Sequence, residues 1–108
     1  MSDAVPQPVK QEDVVEVLKN VYDPELQLDI VNLGLIYGVE VGEGNAVRVK
    51  MTLTSPACPY GPALVAETKN TVLMLHGVKS ADVEVVFTPP WGPERMSEEA
   101  RLELGLDV

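Results

Sequence analysis

A single thiol in a proline-rich loop is the first place in this sequence where side-chain chemistry is possible. The stretch TSPACPYGP, residues 54–62, holds Cys58, the only cysteine of the 108-residue chain. A helix is predicted to follow this loop, and its N-terminus would offer unpaired N–H groups and a partial positive charge. Such a setting favours a thiolate, which could act as a nucleophile or as a metal ligand. Alternatively, Cys58 could be a small buried hydrophobic side chain at a loop corner. The spacing of the residues does not distinguish a reactive thiol from a buried one.

The residues around Cys58 supply hydroxyls but no second soft ligand. Thr54 and Ser55 lie within four positions of Cys58. A tetrahedral zinc site takes four ligands, and the chain has no second cysteine to contribute. His76 is predicted near the far end of the following helix, which at 1.5 Å per residue over about 15 residues places it roughly 20 Å from Cys58. A metal site complete within one chain and a Cys–His dyad are both disfavoured.

Two carboxylates flank a proline in the stretch YDPEL. Asp23 and Glu25, on either side of Pro24, could bind a hard cation or act as an acid–base pair. The alternative is that Asp23 caps a turn and Glu25 is solvated. The residue types and spacing leave both interpretations open.

A second proline-rich stretch, TPPWGPER at residues 88–95, carries an aromatic and a cationic candidate. Trp91 follows two prolines and therefore cannot lie in a central strand. It could pack back over the sheet or be an exposed anchor for a partner. Arg95 could pair with an acid or bind an anion. Trp91 and Arg95 are therefore predicted as possible partner contacts.

Hydrophobic periodicity predicts the elements that must position these residues. Helical spacing predicts helices in QEDVVEVLKNV, ended by Asp23-Pro24, and in GPALVAETKNTVLMLHGV. Alternation predicts strands in LIYGVEV, AVRVKMTLT and ADVEVVFT, the first two joined by the turn GEGN. Ser97 is the predicted N-cap of a short C-terminal helix.

These elements predict an α/β fold of the two-layer α+β type. The expected sheet has three strands of mixed direction, because the helical link from the second strand to the third is long enough for a parallel crossover. Two helices are expected to cover one face of the sheet, followed by the short C-terminal helix. In the strands, Tyr37 is expected to share a face with Val39, and Thr52 to share one with Lys50. Residues 1–9 are predicted to be a flexible lead-in and residues 10–108 a single domain.

Composition narrows the possible partners and the compartment. The net charge of −9 disfavours nucleic acids and anionic membranes, both of which require a basic face. The chain has no apolar run of the roughly 18 residues expected of a membrane span, and its N-terminal residues lack a signal-peptide pattern. A cytoplasmic location is expected, where a lone cysteine stays a thiol or binds metal.

Three long stretches resemble the SufT/PaaD-like family of iron–sulfur cluster assembly factors, a small domain shared with the eukaryotic cytosolic iron–sulfur targeting factor. They are VYDPELQLDIVNLGLIYGVEV, VKMTLTSPACPYGPAL and GVKSADVEVVFTPPWGPERMSEEARLELGL. The resemblance implies an accessory factor in iron–sulfur protein maturation rather than an enzyme, working with assembly machinery and client apoproteins. It also implies that the family's reactive cysteine is Cys58 and that its Asp-Pro-Glu motif is residues 23–25. On this resemblance, Asp23 and Glu25, together with Thr54 and Ser55, are the expected lining of a pocket beside the thiol.

One thiol limits what such a factor could hold. Iron–sulfur clusters are usually bound by four thiolates, so no tightly bound cofactor is expected. A transient cluster or iron at Cys58 would need ligands from a second copy in a homodimer, from a partner or from a small thiol. Two alternatives remain: a thiol-dependent enzyme with Cys58 as nucleophile and Asp23 or Glu25 assisting, and an adaptor with a structural Cys58 that binds through the sheet edge or the Trp91 corner.

Overall fold

The structure is a computed structural model that describes residues 9–55 and 59–105. Those residues form three α-helices and three β-strands, with short 3₁₀ turns at Glu43–Asn45 and Pro93–Arg95. The elements in chain order are α1 (Gln11–Leu18), β1 (Ile36–Val41), β2 (Ala46–Met51), α2 (Gly61–Leu73), β3 (Ser80–Val85) and α3 (Glu98–Glu103).

The sheet has the order β1-β2-β3 and mixed strand directions, as predicted. β1 and β2 form an antiparallel hairpin, whereas β2 and β3 are parallel and joined through α2. Central strand β2 alternates, because Val47, Val49 and Met51 are buried while Arg48 and Lys50 are exposed. The sheet therefore has an inner apolar face, packed against helices, and an outer face that the helices leave uncovered. The outer face carries Glu40, Arg48, Lys50, Asp82 and Glu84.

Helices α1 and α2 cover the inner face of the sheet, with α1 against β1 and α2 against β3. The predicted apolar stripes supply the buried residues, including Val14 and Leu18 from α1 and Leu64 and Val72 from α2. Thr68, on the buried stripe of α2, donates its hydroxyl hydrogen to the Leu64 carbonyl at 2.8 Å, so this polar group is satisfied within the core.

The first helix ends earlier than the sequence predicts. The prediction that Asp23-Pro24 ends it is wrong, because α1 stops at Leu18. The amides of the three residues after Leu18 each donate to the carbonyl three residues before, at 3.1–3.2 Å. This 3₁₀-type spacing tightens the chain and ends the α-helix before the proline can do so.

Two strand residues lie on a different face from the one predicted. The register between β1 and β2 shifts between Ile36 and Gly38, so Tyr37 is an extra residue that joins Gly38 on the outer face. Thr52, expected to be exposed, is fully buried. Strand β2 ends at Met51, so the alternation that placed Thr52 outside does not reach it.

Candidate functional site

The Asp-Pro-Glu turn, residues 23–25, is built around the Asp23 carboxylate. Its Oδ1 accepts hydrogen bonds from the amides of Glu25 at 2.7 Å and Leu26 at 2.9 Å. Asp23 is only 2% exposed, whereas Glu25 is exposed. The turn-capping alternative therefore describes Asp23, because its carboxylate satisfies backbone donors that the proline turn would otherwise leave unpaired.

A second buried carboxylate follows this turn, and the sequence analysis assigned it no role. Asp29 is 8% exposed and accepts from Asn32 twice, through the backbone amide at 2.9 Å and the side-chain amide at 2.7 Å. An aspartate three residues before an asparagine in an irregular stretch is a local signal for this kind of side-chain-to-backbone cap. The pair fixes the chain between the turn and β1.

Backbone hydrogen bonds connect the Asp-Pro-Glu turn to the end of β2. The Ile30 amide donates to the Val21 carbonyl at 2.9 Å, and the Leu35 amide donates to the Ile30 carbonyl at 3.0 Å. The Leu35 carbonyl in turn accepts from the Thr52 amide at 2.8 Å. The turn and the C-terminal end of β2 therefore lie at the same end of the sheet, which we call the loop end.

The two residues that flank the cysteine loop, residues 54–60, lie close together at the loop end. A Cβ added to Gly61 would lie 2.8 Å from Cδ1 of Leu53, so the start of α2 lies directly against the end of β2. Pro62 is in the first turn of α2, as predicted. Only glycine at position 61 allows this close approach, since any side chain would displace Leu53.

The described parts of the cysteine loop lie at the surface. Thr54 is half-buried, while Ser55 and Tyr60 are exposed. Cys58 itself lies outside the described residues, together with Pro56 and Ala57. The predicted pocket residues Asp23, Glu25, Thr54 and Ser55 all belong to segments that meet at the loop end.

Exposed aromatic residues at the loop end were not identified from the sequence. Tyr22 is 54% exposed, Tyr60 42% and Phe87 44%. Phe87 follows β3, and the Val86 amide donates to the Met51 carbonyl at 2.8 Å, which places this segment beside the end of β2. The predicted strand ADVEVVFT includes Phe87, but β3 ends at Val85 and Phe87 lies beyond it. Large apolar side chains that are exposed close to one another are typical of contact surfaces.

The Trp91 corner packs onto the chain segment that precedes and begins β1. The Trp91 indole Nε1 donates to the Leu33 carbonyl at 2.7 Å, and the side chain is half-buried. The Tyr37 hydroxyl donates to the Pro89 carbonyl at 2.8 Å, and the Arg95 guanidinium lies 4.7 Å from the centre of the Tyr37 ring. The indole is therefore part of the packing, whereas the cationic Arg95 is exposed on the outer side of the corner.

Among residues 9–55 and 59–105, no group of three or more His, Cys, Asp or Glu side chains is arranged to hold a metal ion. In the same parts of the chain, no helix is long and apolar enough to cross a membrane. The described side chains at the loop end therefore offer hydrogen-bonding and apolar groups, and carboxylates, but not a preformed metal cage.

Comparison with known proteins gives consistent matches over most of the chain. Residues 11–85 match the family described as iron–sulfur cluster assembly protein. The chain is 44% identical over 95 residues to a Porphyromonas gingivalis protein named Fe-S protein maturation auxiliary factor, covering 88% of this chain and 90% of that protein. It is 43% identical over 96 residues to the Bacillus subtilis Fe-S protein maturation auxiliary factor YitW, covering 89% and 94%.

A solved structure shares the fold as well as the sequence. The crystal structure of a domain of unknown function from Bacillus anthracis matches with a TM-score of 0.85 and 40% sequence identity. The match covers 89% of this chain and 92% of that one. The two-layer arrangement of a three-stranded mixed sheet and its helices is therefore shared by a protein of known structure.

Proposed function

The chain belongs to the family of iron–sulfur cluster assembly proteins, and from that membership we propose that it is an accessory factor in iron–sulfur protein maturation. In this role the Cys58 thiol contacts a cluster, iron or the thiol of a partner. The observation that carries the proposal is the similarity to maturation auxiliary factors over nearly nine-tenths of the chain, at 43–44% identity. The placement of the Asp-Pro-Glu turn and the cysteine loop at one end of the sheet supports it.

The hydrogen bonds of Asp23 argue against this carboxylate as the general base of a thiol enzyme. A general base for Cys58 would need a free oxygen within about 3 Å of the sulfur. Asp23 is buried and already accepts from two backbone amides, so using it as a base would weaken the turn that it holds together. Asp23 therefore shapes the site, and the exposed Glu25 supplies the charge that faces a partner or an incoming cation.

A cluster would be cargo at this site rather than a resident group. Four thiolates usually hold a cluster, and each chain contributes one cysteine. The remaining ligands would come from a second copy of the chain, from the assembly machinery or client, or from a small thiol. Incomplete ligation by any one chain suits transfer, because a cluster held by four ligands of one protein is harder to release.

The exposed aromatic residues at the loop end are suited to contact the proteins that give or receive this cargo. Tyr22 and Tyr60 flank the two motifs in sequence, and Phe87 lies beside the end of β2. Aromatic side chains are enriched where protein interfaces contribute most of their binding energy. The Trp91 corner is proposed as a second contact, in which the packed Trp91 holds the corner in place and the exposed Arg95 guanidinium meets an acidic side chain of the partner.

Anaerobic reconstitution with iron and sulfide tests the thiol role directly. In the presence of a small thiol, the wild-type chain is expected to develop visible absorbance, whereas Cys58→Ala is expected to develop none. His76→Ala is the matched control, because it removes the only histidine from an exposed position away from the loop end and should load like wild type. Equal absorbance from wild type and Cys58→Ala would contradict the thiol role, and no absorbance from either would favour the adaptor alternative.

A further inference from the structure

Strand β3 forms an edge of the sheet that is open along the described residues. β3 bonds β2 in an unbroken register that runs from Ala46–Ser80 to Met51–Val85, and no other described strand pairs with it. The opposite edge strand, β1, is interrupted by the bulge at Tyr37, and its Val39 carbonyl accepts from the Gln11 side chain at 2.7 Å. Bulges and covering groups discourage further pairing at an edge. β3 shows neither feature in the described structure.

Charge alternates across the outer face toward this edge. Arg48 of β2 lies opposite Glu40 of β1 on one side and opposite Asp82 of β3 on the other. In the next outward-facing row, Lys50 lies opposite Glu84. Both rows therefore end at the β3 edge in an exposed carboxylate. Since opposite charges on facing strands stabilise a pair, a fourth strand would continue the alternation with basic side chains.

The inner face at the same edge is incompletely covered. Val83 and Val85 of β3 are half-buried, whereas Val47 and Val49 of β2 are buried. Apolar side chains on the inner side of an added strand would cover these two valines. An occupant that alternates basic and apolar residues matches both faces at once, because successive side chains of a strand point to opposite faces.

A second copy of this chain fits the edge poorly. If two β3 strands paired antiparallel about Val83, Asp82 of each would lie opposite Glu84 of the partner subunit. Like charges directly opposite each other are destabilising. Both chains would also carry a net charge of −9, which opposes their approach and favours that of a basic segment.

We propose that β3 accepts an extended segment of a partner protein as a fourth strand, with basic side chains opposite Asp82 and Glu84 and apolar side chains over Val83 and Val85. Backbone hydrogen bonds would supply affinity, and the charge pattern would select the segment. This surface is on the β3 edge and does not involve Cys58, so it goes beyond the proposed cluster handling.

Two capped peptides that differ only in charge test this proposal, acetyl-TVKVKVT-amide and acetyl-TVEVEVT-amide. Each is titrated into isotope-labelled full-length protein, and amide NMR shifts are followed. The lysine peptide is expected to shift amides along residues 80–86 and to bind about tenfold more tightly than the glutamate peptide. The double variant Asp82→Lys/Glu84→Lys should reverse that preference, since both positions are exposed. Its new lysines lie opposite Arg48 and Lys50, so its thermal unfolding is compared with that of wild type to show that it is folded.

The control variant makes the same change in net charge at a distance from the edge. Glu67→Lys/Glu103→Lys, at two exposed helix positions, should keep the wild-type preference. The proposal would be overturned by equal affinity for the two peptides, by shifts located away from β3, or by no shift with either peptide. Asp82 and Glu84 would then be residues that only prevent edge pairing. Dimerisation through β3 without peptide, seen by sedimentation velocity, would overturn it in favour of a second copy. Cys58→Ala should bind the peptides like wild type, so failure here is distinguishable from failure of the proposed function.

Discussion

Replacement of Cys58 with alanine is expected to abolish iron–sulfur maturation by this protein while leaving its fold intact. The thiol is the only cysteine side chain that one chain can offer to a cluster, iron or partner thiol. The substitution removes one sulfur atom and keeps Cβ, and we expect it to change the free energy of unfolding by no more than about 1 kcal/mol. The measurement is the activity of an iron–sulfur enzyme in a strain lacking this gene and supplied with each variant.

Two comparisons make that result interpretable. Cys58→Ser keeps the size of the side chain but replaces the soft sulfur ligand, so it should fail as Cys58→Ala does. Ala63→Ser, an exposed change in the first turn of α2, should restore activity like wild type. Thermal unfolding of the purified variants shows whether each is folded. Full restoration of enzyme activity by Cys58→Ala would show that the thiol is not needed.

Replacement of Gly34 with alanine is expected to produce the largest loss of stability. Gly34 has φ +80°, and an added Cβ would lie 2.2 Å from the backbone oxygen of Arg95. A left-handed residue with a side chain costs roughly 1–2 kcal/mol, and overpacking adds about 1–3 kcal/mol. The expected decrease in the free energy of unfolding is therefore about 2–5 kcal/mol, measured by urea denaturation.

A matched glycine separates these two contributions. Gly44 also has a positive φ, +70°, but no atom lies within 4 Å of its added Cβ. Gly44→Ala should therefore lose only the conformational part, about 1–2 kcal/mol. The difference between the two losses in the free energy of unfolding measures the cost of crowding between position 34 and the Arg95 backbone. This close approach helps hold the Trp91 corner on the segment before β1. Equal losses would show that this contact does not constrain the fold.

The sequence predicts the sheet well where apolar and polar residues alternate along a continuous strand, and less well at strand ends. Alternation in β2 identifies Val49 as core because both faces of the central strand are set by the register with its neighbours. The faces predicted for Tyr37 and Thr52 are wrong because alternation in the sequence continues past the bulge and the strand end that interrupt it in the structure. Hydrophobic pattern alone does not mark where hydrogen bonding stops.

The candidate site also has features that the sequence predicts and features that only the structure shows. Spacing and residue type identify Asp23 and Glu25 as a pair, but only the hydrogen bonds assign the buried cap to Asp23 and the exposed charge to Glu25. The pairing of Asp29 with Asn32 has a local signal in the sequence, but the burial of Asp29 depends on long-range packing, which local composition does not specify. The resemblance to iron–sulfur assembly factors is confirmed by the comparisons. The role of Cys58 remains a prediction.

Native mass spectrometry of the protein after anaerobic loading with iron and sulfide tests the central claim, a shared site at Cys58, most directly. The masses of intact species show how many chains and small thiols accompany each cluster. A shared site predicts iron and sulfide only on species with at least two thiol sources, either two chains or one chain with a bound small thiol, and none on Cys58→Ala. A cluster on a single wild-type chain with no other thiol, or equal loading of Cys58→Ala, would contradict it.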